Sequence, residues 1–250
     1  MPSDDPFASL DVAGAARELV ALGGTLDPPT LLSAYRHGCF PWPPSGPHAA
    51  ALDRAARRLA RRGLVPVLPG DDPTVPWCCP EPRAVLLAHE LVVSRSLRRR
   101  LRSCGWTTTL DTAFDDVVAA CADREDTWIT DRVREGFGAL HRDGHAHSVE
   151  VWDGEELVGG LYGVLVGRVF CGESMFSRAT DGSKVALVDL CDRLLAAGVQ
   201  LVDVQQETGH LTSLGAVLVR RSDYLQALER LRDQPASLAT DRREVSRLAP

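Results

Sequence analysis

The clearest pattern in the chain is an alternation of apolar and polar side chains that ends in two polar residues. Side chains of a strand point alternately to its two faces, so Leu201, Asp203 and Gln205 share one face and Val202 and Val204 the other. A carboxylate and an amide among valines need a partner, because burying an unpaired polar group is costly. The pattern therefore predicts a strand whose polar side chains do more than pack.

Helical and hairpin patterns surround this strand. Leucines at helical spacing precede it, with Ser183 as a suitable N-cap and Gly198 as a suitable end of the helix. Upstream, Asp153 and Gly154 form a typical turn between two alternating segments, and Gly167 is expected to turn the next strand pair. These patterns predict a mostly antiparallel sheet with a helix before its last strand.

Length and composition are those of a globular protein. The chain has 250 residues, 44% hydrophobic and 25% charged, which suits one large domain or two small ones. We find neither an apolar run long enough for a membrane span nor a secretory signal, so no membrane contact is expected. The seven cysteines are odd in number and form no C-x-x-C pair, which favours a reducing, cytoplasmic location.

Charge gives two opposing indications about nucleic acid. The net charge of -6 argues against it, but arginines cluster at residues 54–62 and 95–102. Local basic patches bind phosphates whatever the net charge of the chain. Arginine suits such contacts, although Lys184 is the only lysine and a bias of composition would give the same count. Each stretch is therefore either a solvated surface or a nucleic-acid contact.

Several short segments follow one another between residues 30 and 225. They are AYRHGCFPW, PEPRAVL, SRSL, TWIT, GHAHSVEVW, ELVGGLYGV, FCGESMFS and LVDVQ followed by HLTSLGA. In this order they resemble the leucyl/phenylalanyl-tRNA–protein transferase family. The resemblance implies transfer of Leu, Phe or sometimes Met from aminoacyl-tRNA to the N-terminal Arg or Lys of a protein. That transfer marks the acceptor for N-degron degradation.

The resemblance also implies a fold and a division into domains. We expect an α+β protein whose second domain is GNAT-like, with a mixed, mostly antiparallel sheet flanked by helices. A small N-terminal α/β domain is expected over residues 1–82, the catalytic domain over 83–233 and a flexible tail over 234–250. A basic insertion near residues 48–70 departs from the family pattern, and is either a solvated surface or an extra tRNA contact.

Aromatic, pocket and basic residues receive roles from the same resemblance. Tyr35, Trp42 and Trp128 are expected at the terminal adenosine or aminoacyl group, with Phe137 where the family has a tyrosine. Without the resemblance, the favoured interpretation of Trp42 is a small hydrophobic plug. Stacking on a base contributes ~1–3 kcal/mol. The expected pocket walls are Ser174, Met175 and Phe176. The arginines expected to contact the tRNA backbone without reading bases are Arg95, Arg98, Arg99, Arg100 and Arg102.

The chemistry required is aminolysis of an ester that is already activated, so positioning can supply much of the rate. No Ser/His/Asp or Cys/His arrangement is visible, which favours direct attack by the amine. In our hypothesis Gln205 hydrogen-bonds the amine or the ester, and Asp203 orients Gln205 or helps withdraw a proton. Glu173 lies near the acceptor and the terminal ribose. Alternatively, Asp203 and Glu173 pair with buried arginines and only support the fold.

A metal site and two other functions have weaker support in the sequence. His141, His145 and His147 invite a metal hypothesis, but no carboxylate or cysteine completes a ligand set, so neither metal nor cofactor is expected. An acyl-CoA N-acetyltransferase would need a Gly-rich pyrophosphate turn, and DGSK precedes the helix instead. A protein that binds aminoacyl-tRNA or a degron without catalysis is the other alternative.

Overall fold

The computed structural model describes residues 5–71 and 73–249 of the chain. The first part forms a small four-stranded sheet in the order β2-β4-β1-β3, with β1 and β3 parallel. Its strands are β1 (Leu19–Gly23), β2 (Phe40–Pro41), β3 (Val67–Leu68) and β4 (Pro76–Cys78). Its helices are α1 (Pro28–Arg36) and α2 (Ala49–Arg61). Helix α2 has no buried residue, whereas Val65 and Leu68, which follow it in the basic insertion, are buried.

The remainder forms an eight-stranded sheet in the order β11-β5-β10-β9-β8-β7-β6-β12. Its strands are β5 (Arg83–Leu87), β6 (Thr107–Leu110), β7 (Ala146–Asp153), β8 (Glu156–Val166), β9 (Val169–Ser177), β10 (Leu201–Gln205), β11 (Val217–Val219) and β12 (Arg243–Glu244). Neighbouring strands are antiparallel except β9 and β10, which are parallel and joined through a helix. The protein is α+β with mixed sheets, as the sequence predicted.

Helices cover both faces of the larger sheet. They are α3 (Arg95–Ser103), α4 (Phe114–Ala122), α5 (Asp131–Arg142), α6 (Gly182–Ala196), α7 (Gly209–Ser213) and α8 (Arg221–Leu231). One apolar core contains side chains of α1, α4, α5 and α8, and a second contains those of α3 and α6. Leu201 belongs to the first core and Val202 to the second, as strand alternation requires. No described helix is both long and apolar enough to cross a membrane.

The local predictions around β10 are confirmed with two corrections, of which the first is that β11 and β12 follow β10 in the same sheet. Gly154 and Gly167 turn their strand pairs at positive φ, and Gly198 follows the end of α6. The N-cap of α6 is Asp181 in the left-handed region, not Ser183. Ser183 lies inside the first turn, where its N–H donates to Ser177 Oγ at 2.7 Å.

The C-terminal segment differs from the flexible tail expected over residues 234–250. Strand β12 pairs with β6, and Leu238 and Val245 are buried in the second core. The segment also supplies backbone acceptors to a buried cation, because Arg193 donates to the carbonyls of Ala239 and Asp241. Two apolar anchors and one buried arginine therefore hold a segment that has no apolar period of its own.

Candidate active site

A cavity of about 410 Å³ lies where the parallel strands β9 and β10 separate. Their ladder ends at the pair Cys171 and Asp203, while β9 runs on to Ser177. The aromatic wall comes from the first sheet and from the segment before α5, and consists of Phe40, Trp42 and Trp128. The floor is apolar and consists of Leu161, Phe170, Leu187, Leu190 and Val202. Such a cavity can hold a flat aromatic group and an apolar side chain together.

Both strands carry a β-bulge at the edge of this cavity. Between β8 and β9 the pairing steps from Tyr162–Ser174 to Gly163–Gly172, so Glu173 is the extra residue. Between β5 and β10 it steps from Val85–Asp203 to Ala84–Gln205, which leaves Val204 as the extra residue. Bulges redirect side chains and end regular pairing. They allow Glu173 and Gln205 to line the cavity rather than continue a ladder.

Gln205 adopts a backbone conformation that is unusual for its residue type. Its φ is 65°, in the left-handed region, which costs a side chain with a Cβ about 1–2 kcal/mol. Two hydrogen bonds hold it there. Its backbone N–H donates to Asp203 Oδ1 at 2.9 Å, and its side-chain Nε2 donates to Glu173 Oε1 at 2.6 Å. The strained conformation thus directs the amide onto the carboxyl of Glu173.

Asp203 is sealed behind the cavity rather than exposed in it. Arg83 donates to both of its carboxylate oxygens, from Nε at 2.8 Å and from Nη2 at 2.6 Å. Tyr224 Oη adds a third donor at 2.8 Å. Arg83 and Asp203 are both almost completely buried. Asp203 therefore pairs with a buried arginine, as one of the two hypotheses from the sequence had it. The Gln205 N–H connects Asp203 to the cavity.

Glu173 lines the cavity and has no arginine partner among the described residues. Burial raises the pKa of Glu173 from its usual 4.5 to about 8, and the neighbouring Tyr35 and Gln205 side chains oppose that rise. Glu173 Oε2 and the hydroxyls of Tyr35 and Tyr162 are buried without a hydrogen bond of normal geometry to any described residue. Unpaired buried polar atoms destabilise a protein unless a ligand or another group satisfies them.

The structure separates the predicted binding residues into two groups. Trp42, Trp128, Ser174 and Met175 line the cavity together with Glu173 and Gln205. The others lie behind or beside its walls: Tyr35 and Phe137 are buried, with ring centroids 6.4 Å apart, and Phe176 faces the guanidinium of Arg178. These three are in positions to support the walls rather than to line them.

Sequence reasoning missed several residues of the site. The apolar floor was not predicted, because its members come from four separate elements. Arg83 and Tyr224 were also missed. Arg83 could have been found, because, like Asp203, it is a charged residue in an otherwise apolar strand. Arg124 and His210 line the cavity as well, and neither stood out in the sequence.

The predicted basic and histidine residues lie outside the cavity. On α3, Arg95, Arg98, Arg99 and Arg102 are exposed, whereas Arg100 is half-buried between Asp181 and the ring of Trp106. His147 Nδ1 contacts Asp111 Oδ2 at 2.7 Å, and His141 stacks on Phe114. Among the described residues, no group of three or more His, Cys, Asp or Glu side chains is arranged to hold a metal.

Comparisons with known proteins agree with the resemblance seen in the sequence. The family model for leucyl/phenylalanyl-tRNA protein transferase matches residues 85–229, and the model for its N-terminal domain matches residues 24–48. Leucyl/phenylalanyl-tRNA–protein transferase of Yersinia enterocolitica is 46% identical over 93% of this chain and 90% of that protein. The chain belongs to the leucyl/phenylalanyl-tRNA–protein transferase family.

Further relatives of the leucyl/phenylalanyl-tRNA–protein transferase family give the same result. Those of Salmonella arizonae and Shewanella baltica are 44% and 43% identical, over 89% of this chain and 86% and 84% of those proteins. The chain is therefore an aminoacyltransferase, as the resemblance implied. A solved structure, L-PGS from Bacillus licheniformis, aligns at a TM-score of 0.37 and 11% identity, over 52% of this chain and 47% of that one. That likeness is too weak to bear on the fold.

We predict that the protein is more stable with glycine than with alanine at position 205. Both replacements remove the amide, but only alanine keeps a Cβ at positive φ, so Gln205→Gly should exceed Gln205→Ala in unfolding free energy by about 1 kcal/mol. Urea unfolding measures the difference, and transfer assays should show both variants strongly impaired. At the exposed Gln200, where φ is not positive, alanine should be at least as stable as glycine. Equal stability of the two variants at position 205 would contradict the strain.

We predict that ionisation of Glu173 destabilises the ligand-free protein. Its pKa is about 8 when folded and near 4.5 when unfolded, so between these values the folded state holds a proton that the unfolded state has lost. Rising pH through this window therefore favours unfolding, by up to about 1.4 kcal/mol per pH unit. The Glu173→Gln variant has no carboxyl to ionise at this position, so its stability relative to wild type should increase from pH 4.5 to 8 in thermal melts. Glu155→Gln, at an exposed carboxylate, should show no such trend.

Proposed function

We propose that this enzyme transfers Leu, Phe or Met from aminoacyl-tRNA to the N-terminal Arg or Lys of a protein, and so marks that protein for degradation in the cytoplasm. The observation that carries the proposal is a single cavity that combines two tryptophans, an apolar floor and the hydrogen-bonded pair of Glu173 and Gln205. These features match the three parts of the reaction: the terminal nucleoside, the aminoacyl side chain and the attacking amine.

The terminal adenosine is assigned to the aromatic wall. Trp42 and Trp128 line the same cavity from two different parts of the chain, and Phe40 lies beside Trp42 with ring centroids 6.1 Å apart. A base that stacks on such rings gains ~1–3 kcal/mol. Tyr35 and Phe137 are assigned a supporting role, because both are buried and Phe137 packs edge-on against Tyr162, which lines the cavity.

The aminoacyl side chain is assigned to the apolar floor, with Met175 as a wall residue. The floor contains leucines, a valine and Phe170, and two of the leucines come from α6. We assign to it a flexible apolar side chain that is unbranched at Cβ. An apolar pocket separates such substrates from branched ones by shape, which limits the discrimination to ~1–3 kcal/mol.

The chemical step is assigned to direct aminolysis. The amine nitrogen bonds to the carbonyl carbon, the bond from that carbon to the ribose oxygen breaks, and the leaving oxygen takes a proton that the nitrogen releases. One further proton must leave the acceptor ammonium before attack. Among the described lining residues Glu173 is the carboxyl group that can accept it, and a pKa near neutrality suits that task. Gln205 orients the amine or the ester, and Asp203 positions Gln205.

An acyl-enzyme has little support. Cys171 is the cysteine beside Glu173, but it is completely buried, and this burial raises the pKa of its thiol. A protonated thiol is a weak nucleophile. Direct attack by the amine also leaves positioning, rather than covalent catalysis, as the main source of rate.

We infer that residues 83–233 form a GNAT-like catalytic domain and that residues 1–82 form the N-terminal domain. In support, the first sheet ends at Cys78 and the second begins at Arg83. The second sheet is mixed, mostly antiparallel and flanked by helices, as the resemblance implies for that fold. The aromatic wall comes partly from the N-terminal sheet, so both parts contribute to the site.

The proposed donors and acceptors can be tested by following label from aminoacyl-tRNA into peptide. Wild-type protein should transfer radiolabelled Leu, Phe or Met to peptides that begin with Arg or Lys, and little to peptides that begin with Ala or Glu. Ile-tRNA should be a poorer donor by roughly 10–200-fold, because its branch at Cβ does not fit the floor. Equal transfer to all four peptides would contradict the assigned acceptors, and equal use of Ile and Leu would contradict the assigned floor.

The tRNA backbone is assigned to the exposed arginines of α3, and the exposed helix α2 is a second candidate. Replacing Arg95, Arg98 and Arg99 by Gln should reduce the slope of log affinity against log salt by roughly 0.7–0.9 for each phosphate that the protein no longer neutralises. Filter binding at several salt concentrations measures the slope. The same replacements at Arg54, Arg58 and Arg61 test α2, and Arg220→Gln, at an exposed ion pair, is the control. An unchanged slope would remove the helix concerned from the tRNA contact.

A further inference from the structure

Arg124 lines the cavity and is held by two hydrogen bonds. Its Nε donates to the carbonyl of Cys121 at 2.8 Å and its Nη2 donates to Ser174 Oγ at 2.6 Å. It lines the same cavity as Trp42 and Trp128 and remains exposed to solvent. Two hydrogen bonds to separate elements fix the plane of the guanidinium and leave Nη1 available to a ligand.

The charge of Arg124 is not neutralised by the protein. Within the described residues no carboxylate lies within ion-pair distance of it, in contrast to Arg83, whose partner is Asp203. Its neighbours Asp123, Glu125 and Asp126 are exposed, and the Asp126 carboxylate lies against Gly46 instead. An oriented guanidinium that has no anionic partner and a free Nη1 suits a charge-assisted hydrogen bond to a phosphate oxygen.

We propose that Arg124 binds the phosphate group on the 5′ side of the terminal adenosine of the donor. This inference rests on the proposed placement of that adenosine against Trp42 and Trp128. The phosphate is joined to the base through a single ribose, and Arg124 lines the same cavity as the two tryptophans on which the base is proposed to stack. The contact sets how deeply the ester enters the cavity.

The distribution of charge across the cavity supports the anionic donor over the acceptor as the ligand of Arg124. The proposed acceptor carries two positive charges, on its terminal ammonium and on its first side chain, and Arg124 repels both. Glu173, at the inner end, attracts them once it has lost its proton. Apart from Arg124, His210 is the one basic residue that lines the described cavity, and burial lowers the pKa of its imidazole. Arg124 is therefore the permanent cation of the site.

Two small donors isolate the phosphate. The first is phenylalanyl-adenosine, esterified on the ribose and without phosphate; the second is the same ester of adenosine 5′-monophosphate. We expect wild-type protein to use the phosphorylated donor better in kcat/KM, on the order of tenfold, because only that donor offers the guanidinium a charged hydrogen-bond acceptor. In Arg124→Gln the ratio of the two values should fall to about one. Arg124→Lys should give an intermediate ratio, since lysine keeps the positive charge but lacks the planar guanidinium that two hydrogen bonds orient.

The control is Arg134→Gln. It removes an exposed arginine of α5 that pairs with Asp131 of the same helix, and it should keep the wild-type ratio. Ser174→Ala, which removes one of the two hydrogen bonds to the guanidinium, should lower the ratio in part. A wild-type ratio near one, or an unchanged ratio in Arg124→Gln, would overturn the phosphate site while leaving transfer intact. Failure of wild-type protein to transfer from intact aminoacyl-tRNA would overturn the proposed function, and the site with it.

Discussion

The buried ion pair of Arg83 and Asp203 is the interaction on which the site depends. Removing two charges from water is costly, and a pair of this kind stabilises a protein only when its geometry and remaining hydrogen bonds are good. Here the pair is bidentate, and Tyr224 and the Gln205 N–H fill further acceptor positions of the carboxylate. An apolar pair could fill the same volume, but it could not accept the Gln205 N–H. The ion pair therefore fixes a conformation, whatever it contributes to net stability.

The same arginine connects the two sheets. The guanidinium of Arg83 lies over the ring of Phe40, 4.9 Å from its centroid, and over the ring of Tyr224 at 4.6 Å. Phe40 begins the aromatic wall in the first sheet, and Tyr224 belongs to α8 against the second. A group that orients the amide of Gln205 is thus in contact with the wall assigned to the nucleoside. In the proposed mechanism, this one buried cation sets the positions of donor and acceptor relative to each other, as aminolysis by positioning requires.

The sequence predicted the strand, the helix before it and the hairpin turns, because these depend on periodicity and on glycine at positive φ. Family motifs predicted the reaction, because they come from many residues in one order. The bulges at Glu173 and Val204 were beyond prediction, since one extra residue changes pairing without changing composition. As a result, alternation placed Asp203 and Gln205 on one face but could not show that one is sealed and the other lines the cavity. The C-terminal segment escaped prediction for a related reason: Leu238 and Val245 are single anchors without a period.

Several features of the site lower the stability of the free protein. Gln205 is strained, and Glu173 Oε2 and the hydroxyls of Tyr35 and Tyr162 are buried without a hydrogen bond of normal geometry within the described chain. Each costs free energy that a purely structural arrangement would avoid, for example with glycine at position 205 and an apolar residue at 173. Such a combination persists where a substrate supplies the missing partner. A cationic amine beside Glu173 would do so, since its positive charge would stabilise the ionised carboxylate, which burial disfavours. On the proposed function, the inner end of the cavity receives the cation of the acceptor, and the rim at Arg124 receives the anion of the donor.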